Sequence, residues 1–106
     1  MAFPRWLIQR LRTDEALLIA VAREHVELKE LQTRYAGLCP IHPERTPSFY
    51  IPKGKSFFHC FGCGAGGSVI DFVMYIQRMD YPDAVKYLAR RAGFSFPPKK
   101  TGGSRQ

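Results

Sequence analysis

Cys39-Pro40-Ile41-His42 and Cys60-Phe61-Gly62-Cys63, separated by seventeen residues, decide how this chain is read. Two residues between the ligands of a pair let one turn bring both to the same edge of a metal. Cysteine thiolates and a neutral imidazole bind Zn²⁺ tetrahedrally at roughly 2.0 to 2.3 Å. Cys39, His42, Cys60 and Cys63 are therefore the expected ligands of one Zn²⁺. Gly62 and Gly64 suit a knuckle that needs positive φ and backbone N–H groups near the sulfurs. Four protein ligands close the coordination sphere, which makes the expected metal structural, with no open position for an activated water. Three free buried thiols beside a surface histidine would not need this spacing. A disulfide framework is disfavoured because the chain's three cysteines cannot all pair and no secretory segment is evident. A redox role for Cys60 and Cys63 lacks the βαβ frame such pairs occupy.

At 106 residues the chain is expected to form one small domain with a modest core, for which a metal staple is physically useful. Sixteen Lys and Arg oppose nine Asp and Glu, a net charge of +7, and the pI is about 9.7. That balance points to an anionic partner, nucleic acid before a membrane surface. The longest apolar run, Ala16–Ala22, has seven residues, too few to span a bilayer or to act as a signal peptide after Asp14-Glu15. Metal-binding cysteines without an export signal imply the cytoplasm.

Local patterning predicts an α+β protein. A short amphipathic helix begins at Pro4 and carries Trp6, Leu7 and Leu11. Thr13 is the expected N-cap of a second helix running to about Arg23, with Asp14 and Glu15 complementing its dipole. From Val26 the period becomes two, and Val26 to Lys29 reads as a strand. A turn at 32–34 leads to a strand over 35–38 that delivers Cys39. Segments 48–51 and 56–61 form a hairpin across 52–55. Ser68 caps a helix with Val69, Phe72, Val73 and Ile76 on one face, and Asp80 caps another with Val85, Leu88, Ala89 and Ala92. Gly93 ends it. Residues 1–96 are thus expected as the domain, and 97–106, rich in Pro, Lys, Gly and Ser, as a flexible tail or interdomain linker.

The hairpin holds Phe49, Tyr50, Phe57, Phe58 and Phe61 among Lys53 and Lys55, flanked by Arg45. Alternation prevents all of these rings from entering one core. Aromatics exposed beside cations bind single-stranded nucleic acid by stacking and phosphate contact. The competing reading packs the outward rings under the terminal helices. Lys29, Arg34, Arg45, Lys53 and Lys55 are the expected phosphate contacts, with Tyr50 and Phe58 as stacking groups. His59 and His25 are expected to stand outside the metal site, since His59 neighbours the inward Cys60.

The string from Tyr35 to Phe49, with His59-Cys60-Phe61-Gly62-Cys63-Gly64-Ala65-Gly66-Gly67, resembles the N-terminal zinc-binding domain of bacterial DnaG-type DNA primases. The likeness extends over nearly the whole chain, from the Pro4 helix to the one ending at Gly93. Ile41 replaces the usual Phe, Arg45 a common Lys, and the turn before Arg34 lacks its usual Gly. The resemblance implies a zinc ribbon on a small antiparallel sheet with flanking N- and C-terminal helices. It also implies recognition of the single-stranded template where an RNA primer begins, and strengthens Arg34 and Arg45 as contacts. Implied partners are the template, the primase polymerase domain in cis or in trans, and the replicative helicase complex; no membrane is implied.

The acidic residues include no closely spaced Asp-x-Asp, and only Asp14-Glu15 are adjacent. Two-metal phosphoryl transfer needs converging carboxylates, so this chain alone is not expected to catalyse. Two readings follow: the template-binding module of a primase, or a stand-alone zinc-ribbon DNA-binding regulator or interaction protein of a mobile element.

Overall fold

The computed structural model describes residues 3–41 and 47–94. Among these, four helices and five strands run in the order α1 (Arg5–Arg12), α2 (Glu15–Arg23), β1 (Lys29–Glu30), β2 (Arg34–Gly37), β3 (Phe49–Pro52), β4 (Phe58–Cys60), β5 (Gly66–Gly67), α3 (Val69–Gln77) and α4 (Tyr81–Ala92). The strands form one antiparallel meander in sequence order. This is the expected α+β architecture. The tail expected over 97–106 lies outside the described residues.

Each helix is set by local chemistry. Pro4 precedes α1 in extended backbone, and Leu7 and Leu11, one turn apart, are its buried stripe. Asp14, rather than Thr13, caps α2: its carboxylate accepts the Leu17 N–H at 3.0 Å. Thr13 instead closes α1 by donating its hydroxyl to the Gln9 carbonyl. A carboxylate is the better cap because it also meets the helix dipole. Ser68 and Asp71 form a capping box at the start of α3, the Ser68 N–H donating to Asp71 at 2.9 Å. Gly93 terminates α4 at φ 86, the left-handed conformation for which glycine carries no steric cost.

Helix α3 packs against α1, α2, α4 and β5, and its Phe72 meets the sheet. Phe72 lies 5.8 Å from Phe49 and 5.3 Å from Phe58, centroid to centroid, and Phe49 stacks on Phe58 at 5.5 Å. All three are fully buried. Burying each such ring contributes roughly 1.5 to 3 kcal/mol. Exposed ion pairs trim the periphery. Arg91 on α4 bonds Glu24, which holds the Glu24 carboxyl below its ordinary range and raises Arg91.

The strand expected from Val26 forms a ladder only at Lys29–Glu30, because the Val26 N–H still donates to Ala22, completing the end of α2. The alternation nevertheless holds, with Val26 and Leu28 buried and Glu27 and Lys29 exposed. Gly37 explains how closely this segment crosses β2. A side chain there would lie 2.6 Å from Val26 Cγ1 and 2.8 Å from the Glu27 carbonyl.

Candidate metal centre and sheet face

Register places the thiols. Phe49 faces Cys60 across β3 and β4, and Gly37 faces Phe49 across β2 and β3. Cys39, two residues beyond Gly37, and Cys60 therefore both point to the helix-covered side, and both are buried. The knuckle then turns Cys63 back. Gly64, at φ 78, donates to the Cys60 carbonyl at 2.8 Å, and Cys60 donates to Ala65 at 2.8 Å. Gly64 alone of the two knuckle glycines takes the positive φ. The Ile41 N–H donates to Cys39 Sγ at 3.4 Å.

The sulfurs of Cys39, Cys60 and Cys63 all lie within 4.8 Å of one another, and Cys39 and Cys63 are 3.9 Å apart. A tetrahedron with Zn–S bonds of about 2.3 Å has edges of about 3.8 Å, so these residues fit the metal. His42 lies outside the described residues. His59 stands on the opposite face from Cys60, half-buried and edge-on to Tyr50 and Phe61.

That opposite face is open. Lys29, Ala36, Tyr50, His59 and Gly66 are paired in succession, so one row crosses all five strands on a single side. Arg34, two residues from Ala36, stands on the same side, as does Leu38. Phe61 follows His59 by two and stacks on Tyr50 at 5.0 Å with an interplanar angle of 23°. Phe61 is 74% exposed, the most exposed large apolar side chain described. An open trough of about 870 Å³ runs along this face beside Lys29, Arg34, Tyr50 and Phe61, toward Cys39 and Pro47.

Of the expected contacts, the structure brings Lys29, Arg34 and Tyr50 together. It removes Phe58, which is 0% exposed and belongs to the core with Phe49 and Phe72. The reason is parity: Phe58 is two residues from Cys60, so an inward Cys60 carries Phe58 inward with it. Lys53 sits on the other side of the sheet. Its ammonium is 2.7 Å from Glu30 and 5.5 Å from the Tyr35 ring, and it holds the Glu30 carboxyl below its ordinary range. Lys55 is exposed near the hairpin tip, and Arg45 lies outside the described residues. Phe61, the most exposed ring on this face, is a residue that sequence reasoning did not single out. Its place between two metal-site positions, one residue from Cys60, was the available signal.

A sheet meander whose strand ends converge three thiols, over a helical layer, defines a zinc-ribbon protein. The chain matches the zinc-ribbon model of DnaG-type primases, described as the CHC2 zinc finger, over residues 4–104. It is 42% identical over 92 residues to a DNA primase of Pseudomonas aeruginosa, covering 87% of this chain and 13% of that protein. A Thermotoga maritima DNA primase is 37% identical over 101 residues, covering 95% of this chain and 18% of that one. The zinc-binding and RNA polymerase domains of the Aquifex aeolicus primase superpose with a TM-score of 0.77 at 33% identity, covering 94% of this chain and 24% of that one. This chain belongs to the zinc-binding domain family of DnaG-type DNA primases. It spans about an eighth to a sixth of the length of these curated relatives. No helix among the described residues is long and apolar enough to cross a membrane.

Proposed function

We propose that this chain is the template-recognising module of a cytoplasmic DNA primase, binding single-stranded DNA across the open sheet face. The observation that carries the reading is the row from Lys29 through Tyr50 to His59, with Arg34 and Phe61 beside it and the thiol cluster behind it. Cys39, His42, Cys60 and Cys63 would hold one Zn²⁺, whose chemistry is structural: it ties the end of β2 to the knuckle after β4. Tyr50 and Phe61 offer successive ring faces for unstacked bases, and Lys29 and Arg34 neutralise phosphates along the strand. Arg45 and Lys55 extend the positive field from the loops. Lys53, already paired with Glu30, is the weakest of the proposed contacts.

The chain itself supplies binding and orientation. The proposed partners are the template strand, a primase polymerase domain acting in cis or in trans, and the replicative helicase complex. The test is fluorescence anisotropy of the zinc-loaded chain with short single-stranded and duplex oligonucleotides over a salt series. Single strands bound more tightly than duplex, with affinity falling as salt rises, is the expected result. Duplex bound as tightly as single strands at moderate salt overturns the reading.

A further inference from the structure

Glu27 is out of place on a surface built for polyanions. It is exposed, lines the trough with Lys29, Arg34 and Tyr50, and shares the outward side of the alternation with Lys29. The other carboxylates with a described role are engaged. Asp14 and Asp71 cap helices, Glu15 accepts the Gly54 N–H at 2.9 Å, Glu24 pairs with Arg91, and Glu30 pairs with Lys53. Asp80 and Asp83 stand at the start of α4, where negative charge is favoured. Glu27 has no ion pair or side-chain hydrogen bond among the described residues, and it sits at no helix start.

An unpartnered carboxylate beside phosphate-binding cations weakens backbone binding by repulsion. It gains only where a strand presents hydrogen-bond donors. On single-stranded DNA those donors are on the bases: the exocyclic amines of cytosine, adenine and guanine, and the ring N–H groups of guanine and thymine. Thymine lacks an amine, and its one donor, N3–H, lies between two carbonyl oxygens that a carboxylate repels, which makes it the poorest partner of the four. Tyr50 and Phe61 supply the platform that would hold a base flat beside the trough.

We propose that Glu27 is a specificity-determining residue of the template face, accepting a hydrogen bond from the exocyclic amine of one template base and disfavouring thymine. This rests on the reading of the sheet face as a single-strand surface. The carboxylate gives the trough a base preference that stacking and phosphate contact alone do not provide, because every base has a ring face and every nucleotide a phosphate.

The experiment compares zinc-loaded parent, Glu27→Ala and Glu27→Gln for binding to short oligo-deoxycytidine and oligo-deoxythymidine at pH 8 and fixed salt. Asp83→Asn on the helical layer serves as a charge control. The parent is expected to prefer deoxycytidine. Glu27→Ala should lower the ratio of the two affinities by about fivefold, the low end of what a good base-edge contact gives, mainly by tightening deoxythymidine binding. Glu27→Gln keeps an acceptor oxygen and should retain part of the ratio. Asp83→Asn should leave it unchanged. If Glu27→Ala strengthens binding to both strands equally, Glu27 is only a repulsive charge and the proposal is overturned. If the parent binds neither oligonucleotide, the single-strand reading of the face fails, and that outcome is distinct from an unchanged ratio.

Discussion

The two faces of the sheet are made from the same few residues and do opposite things. Along β3 and β4, Phe49, Ile51, Phe58 and Cys60 point under α3 and are fully buried, while Tyr50 and His59 between them face outward. One side is closed by rings in contact, Phe49 on Phe58 and both against Phe72. The other carries Phe61 stacked on Tyr50 and exposed, with Lys29 and Arg34 on the neighbouring strands β1 and β2. A period of two thus lets one hairpin contribute to the core, the metal cluster and the candidate ligand surface at once. The cost is that a shift of one residue would exchange all three.

The largest test of this division is Cys60→Ser. Cys60 is buried at the inner end of β4 and joins Cys39 and Cys63, so its loss should abolish stoichiometric zinc and lower the melting temperature by at least about 10 °C. Native mass spectrometry and thermal unfolding by circular dichroism read both. Zinc retained at full affinity would remove Cys60 from the site.

Next, Phe58→Ala and Phe61→Ala should separate the faces. The first should cost roughly 3 to 5 kcal/mol of stability, as a buried ring replaced by a cavity does. The second should leave denaturant midpoints nearly unchanged and weaken single-strand binding by about 1 to 3 kcal/mol. Equal stability losses in the two variants would erase the distinction.

A smaller effect discriminates between cations. Arg34→Ala should reduce the salt slope of single-strand binding by about one and leave zinc content unaltered. Lys53→Ala, on the Glu30 side of the sheet, should change the slope less. Identical slopes for both would mean that the strand does not keep to one face.

The smallest concerns the helical layer. Arg78 ends α3 in the left-handed conformation at φ 55, which glycine adopts without a Cβ penalty. Arg78→Gly should stabilise the chain by about 0.5 to 1 kcal/mol in urea unfolding, without altering oligonucleotide binding. Destabilisation would show that the arginine side chain contributes more than the strain removes.

Much of this was legible in the chain. The two CxxH/CxxC-type pairs named the cysteines that converge, because metal geometry dictates short ligand spacing regardless of what lies between. Helix positions followed from apolar stripes and caps; Thr13 was expected where Asp14 caps α2, a shift of one residue, and Asp80 stands at the N-cap of α4 without a side-chain cap hydrogen bond. The family string in 35–67 carried the fold as a whole. What periodicity alone left open was phase. Phe57 and Phe58 are adjacent and chemically alike, and only their parity with the inward Cys60 separates them; the pairing of Phe49 with Cys60 shows Phe58 inward. In the same way Lys53 and Lys29 are equal as charges in a sequence. Only the tertiary structure sets Lys53 against Glu30 and Tyr35 and leaves Lys29 and Arg34 beside Tyr50, because a charge acquires its partner from strands that meet in space rather than from neighbours in the chain.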